Sequence, residues 1–121
     1  MGELRIRRFR VVEDSMLPTL RPGDILLARA DTAPEPGSIV VVPAPRDGLW
    51  LVKRLAAVAE GEAWVESDNP EATRADSRTL GWVETDQMCR VILRYRSPFG
   101  LRVLRPPRRD RAGWLRLPRR G

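Results

Sequence analysis

Lys53 stands alone in a chain that otherwise uses arginine for positive charge: the 22 basic residues are 21 arginines and this one lysine. It lies in the apolar stretch GLWLVKRLAAV, residues 48–58. Arginine keeps its proton at any working pH, whereas lysine gives it up when desolvated. Leu51, Val52 and Leu55 around Lys53 predict burial. Burial disfavours the ammonium and pushes the lysine below its usual pKa of about 10.4. An amine in that state can act as a general base. The chain has no histidine, which removes every Ser-His and Cys-His dyad and the commonest metal ligand. No metal site and no cofactor are expected. The plain alternative is that an arginine-rich chain has kept one lysine by chance.

A base needs a nucleophile. The stretch DSMLPTLRPGDILL (14–27) offers Ser15, followed by Met16, a Pro-Thr-Leu and a Pro-Gly-Asp turn. Read alone, Ser15 suits a turn or a cap, and Asp24 reads as a turn residue. Three further blocks follow: GDILL (23–27), LVKRLAAV (51–58) and SDNPEATRADSRTLG (67–81). In this order and spacing, over roughly residues 9–83, the four blocks resemble the type I signal peptidases and their relatives. The blocks are similar to that family's nucleophile box, the strand after it, the box of the catalytic lysine with its neighbouring arginine, and a Gly-Asp-Asn, spacer, Asp-Ser-Arg and Gly block.

The resemblance implies Ser15 as nucleophile and Lys53 as its general base. The chemistry is coherent, because a serine hydroxyl is a weak nucleophile that needs a base within hydrogen-bond reach. Ser15, after a strand end, can also turn its own backbone N–H toward a developing oxyanion. Asp76 and Arg78 resemble the family's structural ion pair behind the site. Phe9, Val11, Met16, Leu20 and Val52 fall where the family walls its substrate cleft; as apolar residues on β elements they suit core packing equally. The chain departs from the family pattern in several places: the spacer from Asn69 to Asp76 is six residues, one longer than the common form, and Glu13 occupies the position from which some members offer a hydroxyl to the oxyanion. Ser67 stands where the family has the glycine of Gly-Asp-Asn, and Arg74 stands where the family's lysine-orienting hydroxyl is found, which leaves Thr73 as the nearest substitute.

A short, arginine-rich member with a Ser-Asp-Asn-Pro-Glu block looks like the nickel-type superoxide dismutase maturation proteases. That resemblance implies an endopeptidase that removes an N-terminal propeptide and frees the nickel-binding N-terminus of a dismutase precursor. Other readings remain open. One is a signal-peptide-processing enzyme drawn to an anionic membrane surface by basic residues. Another is a self-cleaving repressor domain, which shares the chemistry but needs a DNA-binding region and a cleavage site before the serine, where only fourteen residues stand. A third is a non-catalytic β module whose arginines bind nucleic acid phosphates. Little aromatic interleaving and no base-reading motif accompany those arginines, so no specific nucleic-acid partner is expected.

These residues must be positioned by short strands. The chain has 121 residues, eleven prolines and nine glycines, which predicts one mainly β domain of short antiparallel strands joined by turns. RPGDILLAR (21–29) and EPGSIVVVP (35–43) echo each other, each a Pro-Gly turn feeding an apolar run. Further strands are expected within 4–12, 48–58, 62–67 and 88–96, and short helical turns near VEDSMLPTL or ETDQM. The polar segment 67–81 reads as a long functional loop.

The expected organisation is a catalytic domain over 1–96 and a flexible basic tail over 97–121. From Arg90 onward there are eleven arginines and one acid, whereas residues 1–89 hold fifteen acids and eleven basic residues. Positive charge is therefore concentrated at the C-terminal end. One cysteine, Cys89, excludes an internal disulfide. With no apolar run near the roughly 20 residues of a membrane span and no signal-peptide pattern at the start, the expected location is the cytoplasm, with peripheral membrane contact open.

Overall fold

Two Pro-Gly turns launch the strands at the centre of the molecule. In each, proline occupies the second position and a glycine with positive φ the third: Gly23 at 95° and Gly37 at 94°. Each is closed by a backbone hydrogen bond, from Asp24 to Arg21 (3.0 Å) and from Ser38 to Glu35 (3.1 Å). This is the type II geometry, which requires a residue free to take φ > 0 at the third position. The internal echo in the sequence is thus a repeated turn-to-strand unit.

The computed structural model describes residues 5–44, 48–72 and 77–105. Eight strands are present among these residues: β1 (Ile6–Arg10), β2 (Ile25–Ala30), β3 (Ile39–Pro43), β4 (Trp50–Ala59), β5 (Glu62–Glu66), β6 (Val83–Glu84), β7 (Cys89–Arg96) and β8 (Gly100–Val103). All pairings are antiparallel, in the order β1-β2-β7-β3-β4-β5-β6, with β8 also on β7. The mainly β expectation holds, as do its six strands. Strands β6 and β8 were not expected. Hydrogen-bonded turns form in both expected places, from Leu17 to Asp14 and Leu20 to Met16 in the first and from Met88 to Thr85 in the second, whereas short helices form at Pro70–Ala72 and Ser77–Leu80, inside the segment read as loop. Ser77 fixes the second of these, its Oγ accepting the buried Val65 N–H at 2.8 Å.

β8 also extends the sheet into the segment assigned to the tail, pairing Gly100–Val103 with Leu93–Arg96. Residues 106–121 of that segment lie outside the described residues.

β3 is the pivot of the core. Ile39 and Val41 point into one buried cluster with Val11, Met16, Leu20, Leu26, Ala28 and Val91. Val40 and Val42 point into another with Leu55, Ala63, Val65, Val83 and Met88. Alternation along one strand therefore feeds two cores on opposite faces of the curled sheet. β4 does the same: Trp50 and Val52 pack on the first cluster, Leu51 and Leu55 on the second. Lys53 shares the parity of Leu51 and Leu55, so its stem lies on the second face.

Candidate active site

Strand parity and register decide the surroundings of Lys53. It is 1% exposed, paired across β3 with Val40. On the other side the β4–β5 register pairs Leu55 with Val65 and Arg54 with Glu66. One step further, Lys53 faces Ser67, just beyond the end of β5. Its Nζ donates to Ser67 Oγ at 3.0 Å. An ammonium this deep loses most of its hydration, which makes every polar partner count.

Ser15 is buried as well, at 6% exposure. It lies in a tight turn between β1 and β2, closed by Leu17 N–H to Asp14 O (3.1 Å) and Leu20 N–H to Met16 O (2.9 Å). The segment Ser67-Asp68-Asn69 clamps this turn from the other side. Asn69 N–H donates to Ser15 O at 2.8 Å, and its Nδ2 donates to Asp14 O at 3.1 Å. Asp68 Oδ2 accepts from Thr19 Oγ1 at 2.6 Å. Asp68 is in turn held by Arg54, through Nε at 3.2 Å and Nη2 at 2.7 Å. The fork-on-carboxylate geometry fixes both orientation and distance. One short segment thus holds the serine turn through Asp68 and Asn69 and the lysine through Ser67.

Ser15 and Lys53 line a common cleft of about 140 Å³ together with Val11, Met16, Leu51 and Val52. Val12 and Leu49, both well exposed, and Trp50 also line it. Of the five expected wall residues, Val11, Met16 and Val52 take that place. Leu20 is fully buried in the first core cluster, and Phe9 packs on Trp50 with ring centroids 5.4 Å apart. Arg78 is exposed on the short helix at Ser77–Leu80. Thr73 and Asp76 lie outside the described residues.

Sequence reasoning missed Ser67. The residue was visible only as a departure from a glycine, and its role follows from register: residues 53 and 67 meet because β4 and β5 pair as they do. Asp24 was also read too narrowly. It does close the turn, accepting Arg21 N–H at 2.8 Å. In addition its carboxylate, 2% exposed, accepts from Arg96 Nε and Nη2, both at 2.8 Å.

A family model described as Peptidase S24-like matches residues 6–92. That span runs from β1 into β7 and contains Ser15, Lys53 and Ser67. The match relates the chain to the signal peptidases that its motifs resemble at the level of their shared fold superfamily. No curated protein matches the chain.

Proposed function

Because the chain belongs to the Peptidase S24-like family, which supports peptidase activity in general while including non-catalytic members, we propose that it is a serine–lysine endopeptidase that removes an N-terminal propeptide. The proposed substrate is the precursor of a nickel-type superoxide dismutase. One observation carries the catalytic reading: Ser15 and Lys53, both buried, line the same small apolar cleft, with Lys53 tethered to a hydroxyl. In this reading Lys53, as the neutral amine, takes the proton of the Ser15 hydroxyl as Oγ attacks the scissile carbonyl, and the resulting ammonium protonates the leaving amine. Water then releases the acyl group from Ser15. The apolar residues Val11, Met16 and Val52 favour small apolar side chains beside the cut. No helix among the described residues is long and apolar enough to cross a membrane. Cytoplasmic action with weak attraction to anionic membranes remains part of the proposal.

The test is direct. Purified protein incubated with a dismutase precursor is expected to yield the trimmed mass, and Ser15→Ala is expected to leave the precursor intact while folding normally. Substantial cleavage by Ser15→Ala overturns the nucleophile assignment. A wild-type enzyme that ignores the precursor but trims signal peptides in vesicles would support the membrane-surface alternative.

Ser67 is a positioning residue in this mechanism, acting through Lys53. Accepting a hydrogen bond from Nζ favours the charged lysine, so Ser67→Ala lowers the pKa of Lys53. The rising limb of the pH–rate profile is expected to move to lower pH. The plateau of kcat should fall about tenfold as the amine loses its fixed aim, with KM little changed. Ser67→Thr restores both. An unchanged profile and plateau in Ser67→Ala would reduce Ser67 to packing.

A further inference from the structure

A second and larger cavity, about 340 Å³, is ringed by guanidinium groups. Arg54 from β4, Arg90, Arg94 and Arg96 from β7, Arg102 from β8 and Arg105 after it all line it. These residues lie far apart in sequence. Antiparallel pairing of Arg94 with Arg102, and the meeting of β7 with β3 beside β4, bring them to one place. Four of the eleven arginines from Arg90 onward are therefore placed here by sheet strands, and a fifth, Arg105, lies just beyond β8.

Three of the six are neutralised. Arg54 pairs with Asp68 at 2.7 Å, Arg96 with Asp24 at 2.8 Å and Arg90 with Asp31 at 3.5 Å. Arg94, Arg102 and Arg105 have no ion pair among the described residues. Burial, first, and the neighbouring Arg96, Arg102 and Arg21 hold Arg94 below the usual arginine range, with Asp24 acting the other way. Gathered like charges destabilise a fold unless a counter-charge occupies the space between them.

The polar inventory points the same way. Among the described residues, two buried side-chain atoms have no hydrogen-bond partner: Ser38 Oγ and Arg94 Nε. Both belong to residues that line this cavity, and Ser38 is 2% exposed. Buried polar atoms of folded proteins are nearly always satisfied. Ser38 also holds the position in the second Pro-Gly turn that Asp24 holds in the first. There a carboxylate neutralises Arg96; here a hydroxyl supplies a donor without adding negative charge.

We propose that this cavity binds a phosphate-bearing ligand, its oxygens accepting from Arg94 Nε, the Ser38 hydroxyl and the guanidiniums of Arg102 and Arg105. A phosphate group offers three or more oxygens, spread tetrahedrally, to donors converging from different strands, whereas a carboxylate offers two in one plane. Ile39, Val91, Val103 and Leu104 form the rest of the wall, which fits an organic portion carried by the phosphate. That chemistry is shared by a soluble phosphomonoester and a phospholipid headgroup.

Titrations at about 0.15 M salt, where diffuse attraction is screened, test it. Glycerol phosphate is expected to bind the full chain saturably at one site and to raise its Tm. Arg94→Gln should bind at least tenfold more weakly, with an unliganded Tm equal to or above wild type because repulsion is relieved. Ser38→Ala removes no protein hydrogen bond, so it should keep its Tm and lose several-fold in affinity. Arg8→Gln on β1, the same charge change elsewhere, should bind as wild type. Flotation with phosphatidylcholine vesicles, with and without phosphatidic acid, separates the sources. Retention that needs phosphatidic acid and is lost in Arg94→Gln identifies a headgroup, and glycerol phosphate binding without retention identifies a soluble ligand. No saturable binding to either probe, or equal loss in Arg8→Gln and Arg94→Gln, overturns the proposal. Neither measurement involves cleavage, so this site is tested apart from the peptidase reading.

Discussion

Lys53→Arg is expected to yield a folded protein with cleavage reduced at least ~10³-fold across the whole pH range in which the wild type works. Both side chains are cationic, and arginine is this chain's choice at every other basic position. A structural cation would accept the exchange at about 1 kcal/mol. A general base would not, because the guanidinium keeps its proton. With an ordinary pKa of about 10.4, roughly one lysine in 2,500 is neutral at pH 7, so the wild-type rate should climb with pH as Lys53 deprotonates. The arginine variant should show no such climb.

Lys53 is 1% exposed, beside Val40 and Leu55, so the bulkier guanidinium can strain the fold. Lys53→Met guards against that ambiguity. It keeps the unbranched stem and removes the buried charge, so stability should be unchanged or rise by up to ~2 kcal/mol. Cleavage should again be lost. Chemical denaturation beside an intact-mass cleavage assay reads both properties. An active Lys53→Arg or Lys53→Met enzyme sinks the assignment of Lys53 as base.

The largest stability effect should come from Asp24→Asn. Burial alone would push the Asp24 carboxyl up, but the hydrogen bonds and charge of Arg96, with the Arg21 N–H, outweigh it and hold the pKa below its ordinary value. An aspartate depressed in the folded state stabilises above its unfolded pKa, near 4. That contribution is lost as pH falls through the folded value. The Asp24 contribution to the wild-type Tm should therefore be constant with pH near neutrality and fall away in acid. The asparagine leaves Arg96, with its side chain 15% exposed, short of its counter-charge and breaks the fork. A loss of about 3 kcal/mol is expected at pH 7, or about 10 °C in Tm, shrinking as pH falls below about 4 and the wild type begins to lose the same interaction. Thermal unfolding of both proteins at pH 7 and pH 3 measures this. A neutral-pH difference below about 1 kcal/mol would reduce Asp24 to a turn residue.

Local chemistry made much of this protein legible in its amino acids. The two type II turns follow from Pro-Gly, since only glycine takes φ near 95° without strain. Six strands follow from apolar runs bounded by such turns. The singular lysine among arginines marks Lys53 through proton chemistry, which composition carries without any fold. The remainder depended on pairing between segments far apart in the chain. Ser67 became Lys53's partner through the β4–β5 register, and a one-residue slip would have turned it to the other face. β8 formed from a stretch rich in arginine because β7 offered it an edge. Arg94, Arg102 and Arg105 of the cavity converge only when β7 and β8 fold together, a non-local arrangement that no pattern of period two or 3.6 encodes. Residue types set which chemistry was possible; strand register and sheet curvature decided which groups meet.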